Sequence, residues 1–259
     1  MIGKNVFADP ILPPIDEAFI NREAINRVRF LFFGTNPGMA LDTVFMVLAP
    51  PHPAARPFLA GGVVASVLGL WLGAWLFWLG LVFLLFCLYF FRDPERVPPA
   101  RPGAILAPAD GRIVAIAPAV PPAELGLGPA SRWRVAIFLS VLDVHVNRMP
   151  ASGTVTRIAY RHGKFVNASL DKASEENERN ALAIRLADGR EIAVVQIAGL
   201  IARRILCAVH EGDAVRAGAR FGIIRFGSRT DLYLPEGVRP LVAEGQRMVG
   251  GETVIAELG

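Results

Sequence analysis

The dipeptide Gly227-Ser228 is the place in this sequence where residue types alone raise a question of chemistry. It interrupts two strand-like apolar runs, residues 221–226 and 232–234, between which a plain hairpin favours Asn-Gly or Asp-Gly. Gly-Ser instead places a hydroxyl nucleophile beside the carbonyl of the least hindered residue. Because such a hydroxyl caps its own backbone in ordinary loops, the dipeptide alone does not separate a turn from a reactive bond.

A second candidate lies in residues 139–150, where alternating apolar and polar residues predict a strand. That alternation sets Asp143, His145 and Asn147 on one face of the strand. The imidazole of His145 can give or take a proton near neutral pH, and a buried structural histidine is the alternative interpretation. The other histidines, at positions 52, 162 and 210, lie in turns flanked by Pro or Gly, and we expect them at the surface.

Two further patterns involve charged residues. Asp110-Gly111 and Asp188-Gly189 share the letters Ala-Asp-Gly-Arg, and both predict turns that local sequence does not tell apart. Arginines occur in two places where a phosphate could bind, Arg92 and Arg96 within residues 91–96, and Arg203 and Arg204 after the strand-like residues 196–198. The alternatives are a topology anchor at residues 91–96 and an ordinary surface at Arg203-Arg204. The charge-dense residues 171–180 predict a solvated loop or helix.

The elements around these candidates begin with an apolar run. Residues 58–91 carry no charge over 34 positions. As one helix they would extend about 50 Å, well beyond the hydrocarbon core of about 30 Å. We therefore predict a membrane-embedded hairpin of two short, tilted helices, with a single tilted span or a buried core hairpin as alternatives.

Spacing and flanking charge support the hairpin. Small residues recur every fourth position, which allows close helix approach, at Gly61, Ala65, Gly69 and Gly73. Tryptophans cluster at the predicted turn, at positions 71, 75 and 78. Arginines flank both ends, at positions 56, 92, 96 and 101, which predicts that both ends face the cytoplasm.

Composition agrees with a membrane partner. Hydrophobic residues make up 53% of the chain and the mean hydropathy is +0.42. The net charge of +4 favours an anionic lipid surface, and no nucleic-acid-binding motif is present. Cys87 and Cys207 are the only cysteines, without CxxC or metal-ligand spacing, so that neither a disulfide framework nor a metal site is predicted.

Three regions follow from these patterns. Residues 1–57, rich in proline, predict a partly irregular N-terminal extension; residues 58–91 predict the helical hairpin; residues 100–259 predict a β-rich domain. Short Val/Ile-rich segments separated by turn residues indicate a mainly β, sandwich or barrel-sandwich-like domain, at 112–117, 133–141, 154–160, 182–186, 191–197 and 221–226. Within it, Glu211-Gly212 and Glu244-Gly245 begin similar spacings. These predict two quasi-equivalent hairpins like those of lipoyl and biotinyl carriers, but without a carrier lysine.

Six separated motifs, taken in order, resemble the short, membrane-associated bacterial form of the phosphatidylserine decarboxylase family. They lie at residues 91–96, 108–111, 143–150, 171–180, 196–204 and 226–228, and the resemblance covers about residues 55–259. It implies a proenzyme that cuts itself between Gly227 and Ser228 and converts Ser228 into a covalent pyruvoyl group, with no metal. It also implies a heterodimer of the two products, with a homo-oligomer possible, at the cytoplasmic face of the inner membrane.

The resemblance also implies residue roles. Asp110 would orient His145, which would deprotonate Ser228 and later act as the acid in decarboxylation of phosphatidylserine to phosphatidylethanolamine. The four arginines at positions 92, 96, 203 and 204 would bind the substrate. Longer members carry two histidines three residues apart, whereas this chain has His145 and then Arg148. Two other functions remain open, a non-catalytic membrane-anchored scaffold and a pyruvoyl-dependent decarboxylase of a soluble amino acid.

Overall fold

The computed structural model of the protein describes residues 49–163, 177–199, 204–225 and 228–259. The predictions for most of the N-terminal extension, for residues 171–176, for Arg203 and for Gly227 lie outside these ranges.

The apolar run forms two helices, α1 (Arg56–Leu72) and α2 (Ala74–Phe90), after a short 3-10 turn at Pro53–Ala55. Gly73, with φ 133°, joins them. The helices touch at glycines, since a Cβ at Gly69 would lie 2.1 Å from the Phe77 nitrogen and one at Gly80 2.5 Å from the Ser66 nitrogen. The hairpin geometry is therefore as predicted.

The predicted small-residue stripe is partly wrong. Gly61 faces open space and its neighbour Gly62 makes the contact with α2. An exact four-residue repeat drifts around a helix of 3.6 residues per turn, so that the contacting positions do not follow it. Among the described residues, one helical stretch, Pro53–Leu72, is long and apolar enough to cross a membrane, and Ala74–Phe90 is a shorter apolar helix.

The remainder is mainly β, and the larger sheet is curled as in a β-sandwich. The strands are β1 Ala104–Leu106, β2 Gly111–Ala119, β3 Arg132–Leu139, β4 Val146–Arg148, β5 Gly153–Arg161, β6 Arg179–Arg185, β7 Glu191–Ala198, β8 Ile205–Cys207, β9 Ala214–Val215, β10 Arg220–Ile224, β11 Ser228–Tyr233, β12 Arg247–Met248 and β13 Val254–Glu257. They form sheets in the orders β12-β2-β3-β11-β7-β6-β5-β9, β4-β10-β8 and β1-β13. Each of the six predicted Val/Ile-rich segments overlaps one of these strands, and Asp188-Gly189 forms the exposed turn between β6 and β7.

The predicted equivalence of the Glu211-Gly212 and Glu244-Gly245 segments is seen, but neither segment forms a hairpin. Strand β9 pairs with β5 and β10 with β4 and β8, whereas β12 pairs with β2 and β13 with β1. We call residues 103–119 with 243–257 the first half, and residues 145–161 with 210–224 the second half. Equivalent hydrogen bonds occur in both halves. Between backbone groups, Gly245 N donates to Ile113 O and Gly212 N donates to Val155 O, both at 2.8 Å. From backbone to side chain, Ile116 N donates to Glu244 Oε1 at 2.8 Å and Ile158 N donates to Glu211 Oε1 at 2.7 Å. Each glutamate thus satisfies the N–H next to a bulge in the strand that it faces.

A turn precedes β2 in the first half and β5 in the second. We call residues 108–111 the first turn and residues 150–153 the second turn. Gly250 N donates to Asp110 Oδ1 at 2.8 Å in the first, and Ala217 N donates to Ser152 Oγ at 3.0 Å in the second. A glycine follows each acceptor because a Cβ there would lie 2.2 or 2.3 Å from the carbonyl oxygen of the adjacent strand.

The predicted continuous strand over residues 139–150 is wrong. Strand β3 ends at Leu139, a turn follows, and β4 begins only at Val146. The reason is a local side-chain interaction, in which Asp143 Oδ2 accepts hydrogen bonds from Ser140 N at 2.9 Å and from Ser140 Oγ at 2.7 Å. Such bonds compete with a strand ladder, and Asp143, His145 and Asn147 therefore do not share a strand face.

Candidate active site

Ser228 is the first residue of β11 and lies between two strands. It pairs with Leu139 of β3 on one side and Ala198 of β7 on the other. Strand β10, which ends at Ile224, instead pairs with β4 and β8 in another sheet. The chain therefore passes from one sheet to another between Ile224 and Ser228, and the two strands do not form a hairpin that would need Asn-Gly or Asp-Gly.

The Ser228 hydroxyl is buried without a hydrogen bond. Its residue is 0% exposed, and Oγ has no partner in the described part of the chain. An unsatisfied buried hydroxyl costs about 1–3 kcal/mol. Because the rest of the strand is well paired, this cost indicates that the Ser228 hydroxyl has a role other than stabilising the fold. A nucleophile that must react is expected to lack such a hydrogen bond.

His145 approaches the same region from the other sheet. It immediately precedes β4, and its carbonyl oxygen accepts a hydrogen bond of 3.3 Å from Ile224 N, at the end of β10. Ile224 is four residues before Ser228, which limits their Cα separation to about 14 Å. His145 and Ser228 therefore lie at the same end of the sheets. Strands β3, β7 and β10 end there, and β11 begins there.

The state of the His145 imidazole follows from its contacts. Nδ1 lies 2.9 Å from Asp143 O, and a carbonyl only accepts hydrogen bonds, so Nδ1 carries the proton and Nε2 the lone pair. The ring lies 4.2 Å from the Phe90 ring, centroid to centroid. Burial lowers the pKa of His145 to about 4; Asp143 opposes the shift and Arg92 adds to it. The imidazole is therefore neutral at pH 7 and can act as a base.

Sequence reasoning missed the contribution of Asp143. Its carbonyl fixes the tautomer of His145, while its carboxylate holds Ser140 and lies 3.1 Å from Arg247 Nη2. The spacing Ser-x-x-Asp, typical of a side-chain-capped turn, was the available signal.

Asp110 is held by a buried arginine. Its Oδ2 lies 2.8 Å from Arg96 Nη2, and the Arg96 side chain is 2% exposed. Burial raises the pKa of Asp110, while Arg96 and the Gly250 N–H act in the opposite direction. The predicted orientation of His145 by Asp110 stays a prediction, because the charges that act on the pKa of His145 are those of Asp143 and Arg92.

The arginines predicted to bind substrate occupy two settings. Arg92 and Arg96 are buried at the junction of α2 with the β domain. Arg92 donates to Leu142 O at 2.7 Å and to Tyr89 O at 2.8 Å, and its guanidinium lies 4.0 Å from the Tyr89 ring centroid. Arg204, in contrast, is exposed.

Two acidic residues complete this junction. Asp93 lies 2.6 Å from Arg220 Nε and 3.2 Å from Arg148 Nη2, and Glu95 lies 3.1 Å from Arg220 Nη2. Residues 92–96 therefore fasten the helices to the β domain. Of the histidines expected at the surface, 162 and 210 are exposed, whereas His52 is half-buried and caps the 3-10 turn.

Comparisons with known proteins agree on one family. The family model described as phosphatidylserine decarboxylase matches residues 83–256. The phosphatidylserine decarboxylase proenzyme of Granulibacter bethesdensis is 70% identical over 248 residues, which cover 95% of this chain and 99% of that protein. The proenzymes of Gluconacetobacter diazotrophicus and Cereibacter sphaeroides are 64% and 60% identical, over 84% and 85% of this chain and 99% and 95% of their own lengths.

The first of these alignments covers nearly the whole chain and so reaches into residues 1–48. The resemblance noted in the sequence therefore extends further than the motifs that revealed it. With the family model covering the end of α2 and strands β1–β13, the chain belongs to the phosphatidylserine decarboxylase family.

Proposed function

We propose that this chain decarboxylates phosphatidylserine to phosphatidylethanolamine by means of a pyruvoyl group that it makes from its own Ser228. Family membership supports the reaction, and the name proenzyme, which its relatives carry, supports self-processing. The observation that carries the residue assignment is the buried Ser228 hydroxyl without a hydrogen-bond partner in the described part of the chain.

Self-cleavage begins with proton transfer from Ser228. His145 Nε2 takes the proton as Oγ attacks the Gly227 carbonyl, and the amide becomes an ester. Removal of the Cα proton of Ser228 then expels the carboxylate of Gly227 and leaves dehydroalanine. Addition of water releases ammonia and leaves a ketone at the new N-terminus. Asp110 contributes negative charge that favours the imidazolium formed in the first step.

The surroundings of Ser228 fit a pyruvoyl group. The residue lies between β3 and β7 and is fully buried, so that the reacting carbon is held in place. When formed, the group supplies an electron sink for the electrons left behind by carbon dioxide. His145 then returns a proton to the carbon that lost the carboxylate.

The helices α1 and α2 are proposed to insert into the cytoplasmic face of the cell membrane. The stretch Pro53–Leu72 is long enough to cross, but α2, at 17 residues, extends about 25 Å, less than the hydrocarbon thickness of about 30 Å. A re-entrant hairpin therefore fits the pair better than a full crossing by both helices. Their outward residues are apolar, and the tryptophans at positions 71, 75 and 78 are exposed near the turn. Residues 100–259 then form the catalytic domain, with the products 1–227 and 228–259 remaining together.

Mass spectrometry of the purified full-length chain tests this proposal. We expect two products that separate between Gly227 and Ser228, the smaller with a pyruvoyl N-terminus, and a single uncut chain for Ser228→Ala. The wild-type chain should release carbon dioxide from detergent-dispersed phosphatidylserine but not from free serine. An uncut, inactive wild-type chain would contradict the proposal, and activity on free serine would favour the soluble amino-acid alternative.

A further inference from the structure

Two arginines face each other across adjacent strands close to the reacting residue. Strand β8 pairs with β10 so that Ile205 lies opposite Ile224, and Arg225 N donates to Arg204 O at 3.4 Å one residue further on. Like charges directly opposite each other on an antiparallel pair are destabilising. Two arginines nevertheless occupy these opposite positions, which indicates that a bound anion offsets the repulsion between their charges.

Neither side chain has an acidic partner in the described part of the chain. Arg204 is exposed, and no carboxylate lies within ion-pair distance of it or of Arg225. Arg225 Nε is buried and has no hydrogen-bond partner there. Among the nearby acidic residues, Asp93 and Glu95 pair with Arg148 and Arg220. Glu178 Oε1 accepts hydrogen bonds from the Tyr160 hydroxyl and from Ile205 N, the latter at 3.2 Å. The pair therefore offers unused donors to a ligand.

The arginines lie at the base of the helical pair. The guanidinium of Arg225 lies 5.2 Å from the ring centroid of Phe58, in the first turn of α1, and that ring stacks on Phe91, 5.3 Å away, just after α2. The large exposed apolar side chains of α1 begin at Val63, which lies about 8 Å from Phe58 along the helix axis. If the helices enter the membrane, Arg225 lies at the depth of the lipid headgroups.

We propose that Arg204 and Arg225 hold the phosphodiester of the substrate headgroup, an assignment that rests on the proposed decarboxylase function. Arg225 is three residues before Ser228, which places its Cα within about 11 Å of the reacting residue. In a serine phospholipid, only the short carbon–oxygen bridge of the serine moiety separates the phosphate from the amine that must reach residue 228.

The phosphate is a better ligand for this pair than the serine carboxylate. A guanidinium pair on the carboxylate would stabilise the charge that decarboxylation must remove, and would therefore raise the barrier. The phosphodiester keeps its charge throughout the reaction, so that binding it positions the substrate without opposing the chemistry. Guanidinium groups also match phosphate oxygens in geometry.

Binding to the uncleavable Ser228→Ala full-length chain tests the site independently of processing and turnover. The probes are dihexanoyl phosphatidylserine and dihexanoyl phosphatidylethanolamine, which share the phosphodiester and differ in the carboxylate, measured by titration calorimetry. Adding Arg225→Ala should weaken the binding of both by about 10-fold and Arg204→Ala by about 3-fold, with partial retention in Arg225→Lys. Arg239→Ala, an exposed arginine beyond the other end of β11, should leave both unchanged.

Equal affinities in the arginine variants would overturn the proposal, as would a loss confined to phosphatidylserine, which would indicate carboxylate binding. Weaker adsorption to phosphatidylglycerol vesicles with unchanged affinity for the soluble lipids would also overturn it, in favour of general surface attraction. If Arg225→Ala does not fold, the exposed Arg204→Ala decides. Arginine-dependent binding by a wild-type chain that never cleaves would refute the decarboxylase function and leave the site standing.

Discussion

The first and second turns occupy the same position in the two halves of the β domain, and they differ in one functional group. Asp110 in the first turn and Ser152 in the second each accept one backbone hydrogen bond, from Gly250 N and Ala217 N. Ser152 is exposed, whereas Asp110 is largely buried and paired with Arg96. A hydroxyl is therefore enough to form this turn.

The carboxylate of Asp110 has to be explained by something other than the turn. Burial raises its pKa, which means that the folded protein destabilises the charged form, and a buried arginine is present to offset that cost. The fold would be simpler with serine at both positions. The comparison thus supports the proposal that the charge at position 110 serves the chemistry near Ser228.

The strands before the two turns differ in the opposite direction, because here the second half carries the polar residues. Counting back from the turn glycines, His145 and Asn147 of the second half correspond to Gly103 and Ile105 of the first. Ile105 is buried in the apolar core, whereas Asn147 accepts from Gln196 Nε2 at 2.8 Å. The second half therefore places polar groups beside β11 where the first half packs hydrocarbon.

Replacing His145 tests the largest difference between the halves. His145→Ala should slow self-cleavage by at least about 100-fold, because no other base is assigned to Ser228. The rate is measured from the masses of the products over time. His210→Ala, at an exposed position of the second half, serves as the control. Normal cleavage with lost decarboxylation would confine His145 to the later step, and an unaffected rate in both would refute its role.

Replacing Asp110 with the residue of the second turn should have a smaller effect. Asp110→Ser keeps an acceptor for Gly250 N but removes the charge, and we expect cleavage to slow by about 10-fold or more. The free energy of unfolding should fall by about 3 kcal/mol, because the buried Arg96 loses the nearer of its two carboxylates and keeps only Glu252, at 3.9 Å. Product masses and chemical denaturation measure the two effects.

A double variant separates charge neutralisation from chemistry. Asp110→Ser with Arg96→Met should recover most of the stability but not the cleavage rate. Wild-type cleavage in the double variant would show that the carboxylate only neutralises Arg96. Ser152→Ala, the matched change in the second turn, should cost about 1 kcal/mol or less and leave cleavage unchanged.

The pH dependence of stability tests the neutral, buried state of His145. The pKa of His145 is about 4 in the folded protein, against 6.5 for an unperturbed histidine, so between these values the unfolded chain binds a proton that the folded chain does not. Stability should therefore fall by about 1.4 kcal/mol for each pH unit below 6.5 and level off below 4. Denaturation of Ser228→Ala with and without His145→Gln isolates this contribution, and equal slopes would contradict the neutral buried state.

Much of this fold could be predicted from periodicity, because alternating apolar residues and turn glycines report directly on strands and their ends. The paired Glu-Gly turns were visible for the same reason. The break in the strand within residues 139–150 could not be predicted in this way. The alternation of residues favours a continuous strand there, and the Ser140–Asp143 hydrogen bond interrupts it. Ser228 and His145 stood out through their residue types and the order of motifs. Arg225 did not, because its position opposite Arg204 depends on strand pairing.

The strands that follow the proposed cleavage site, Gly227-Ser228, pair only with strands that precede it, as far as the structure describes them. Strand β11 lies between β3 and β7, β12 pairs with β2, and β13 pairs with β1. The cut removes a covalent connection without breaking any of these ladders. Pulling the small product away would expose bare edges on four strands, β1, β2, β3 and β7, and the apolar core beneath them. We therefore expect the two products to be an obligate complex, in which neither polypeptide has a soluble existence of its own.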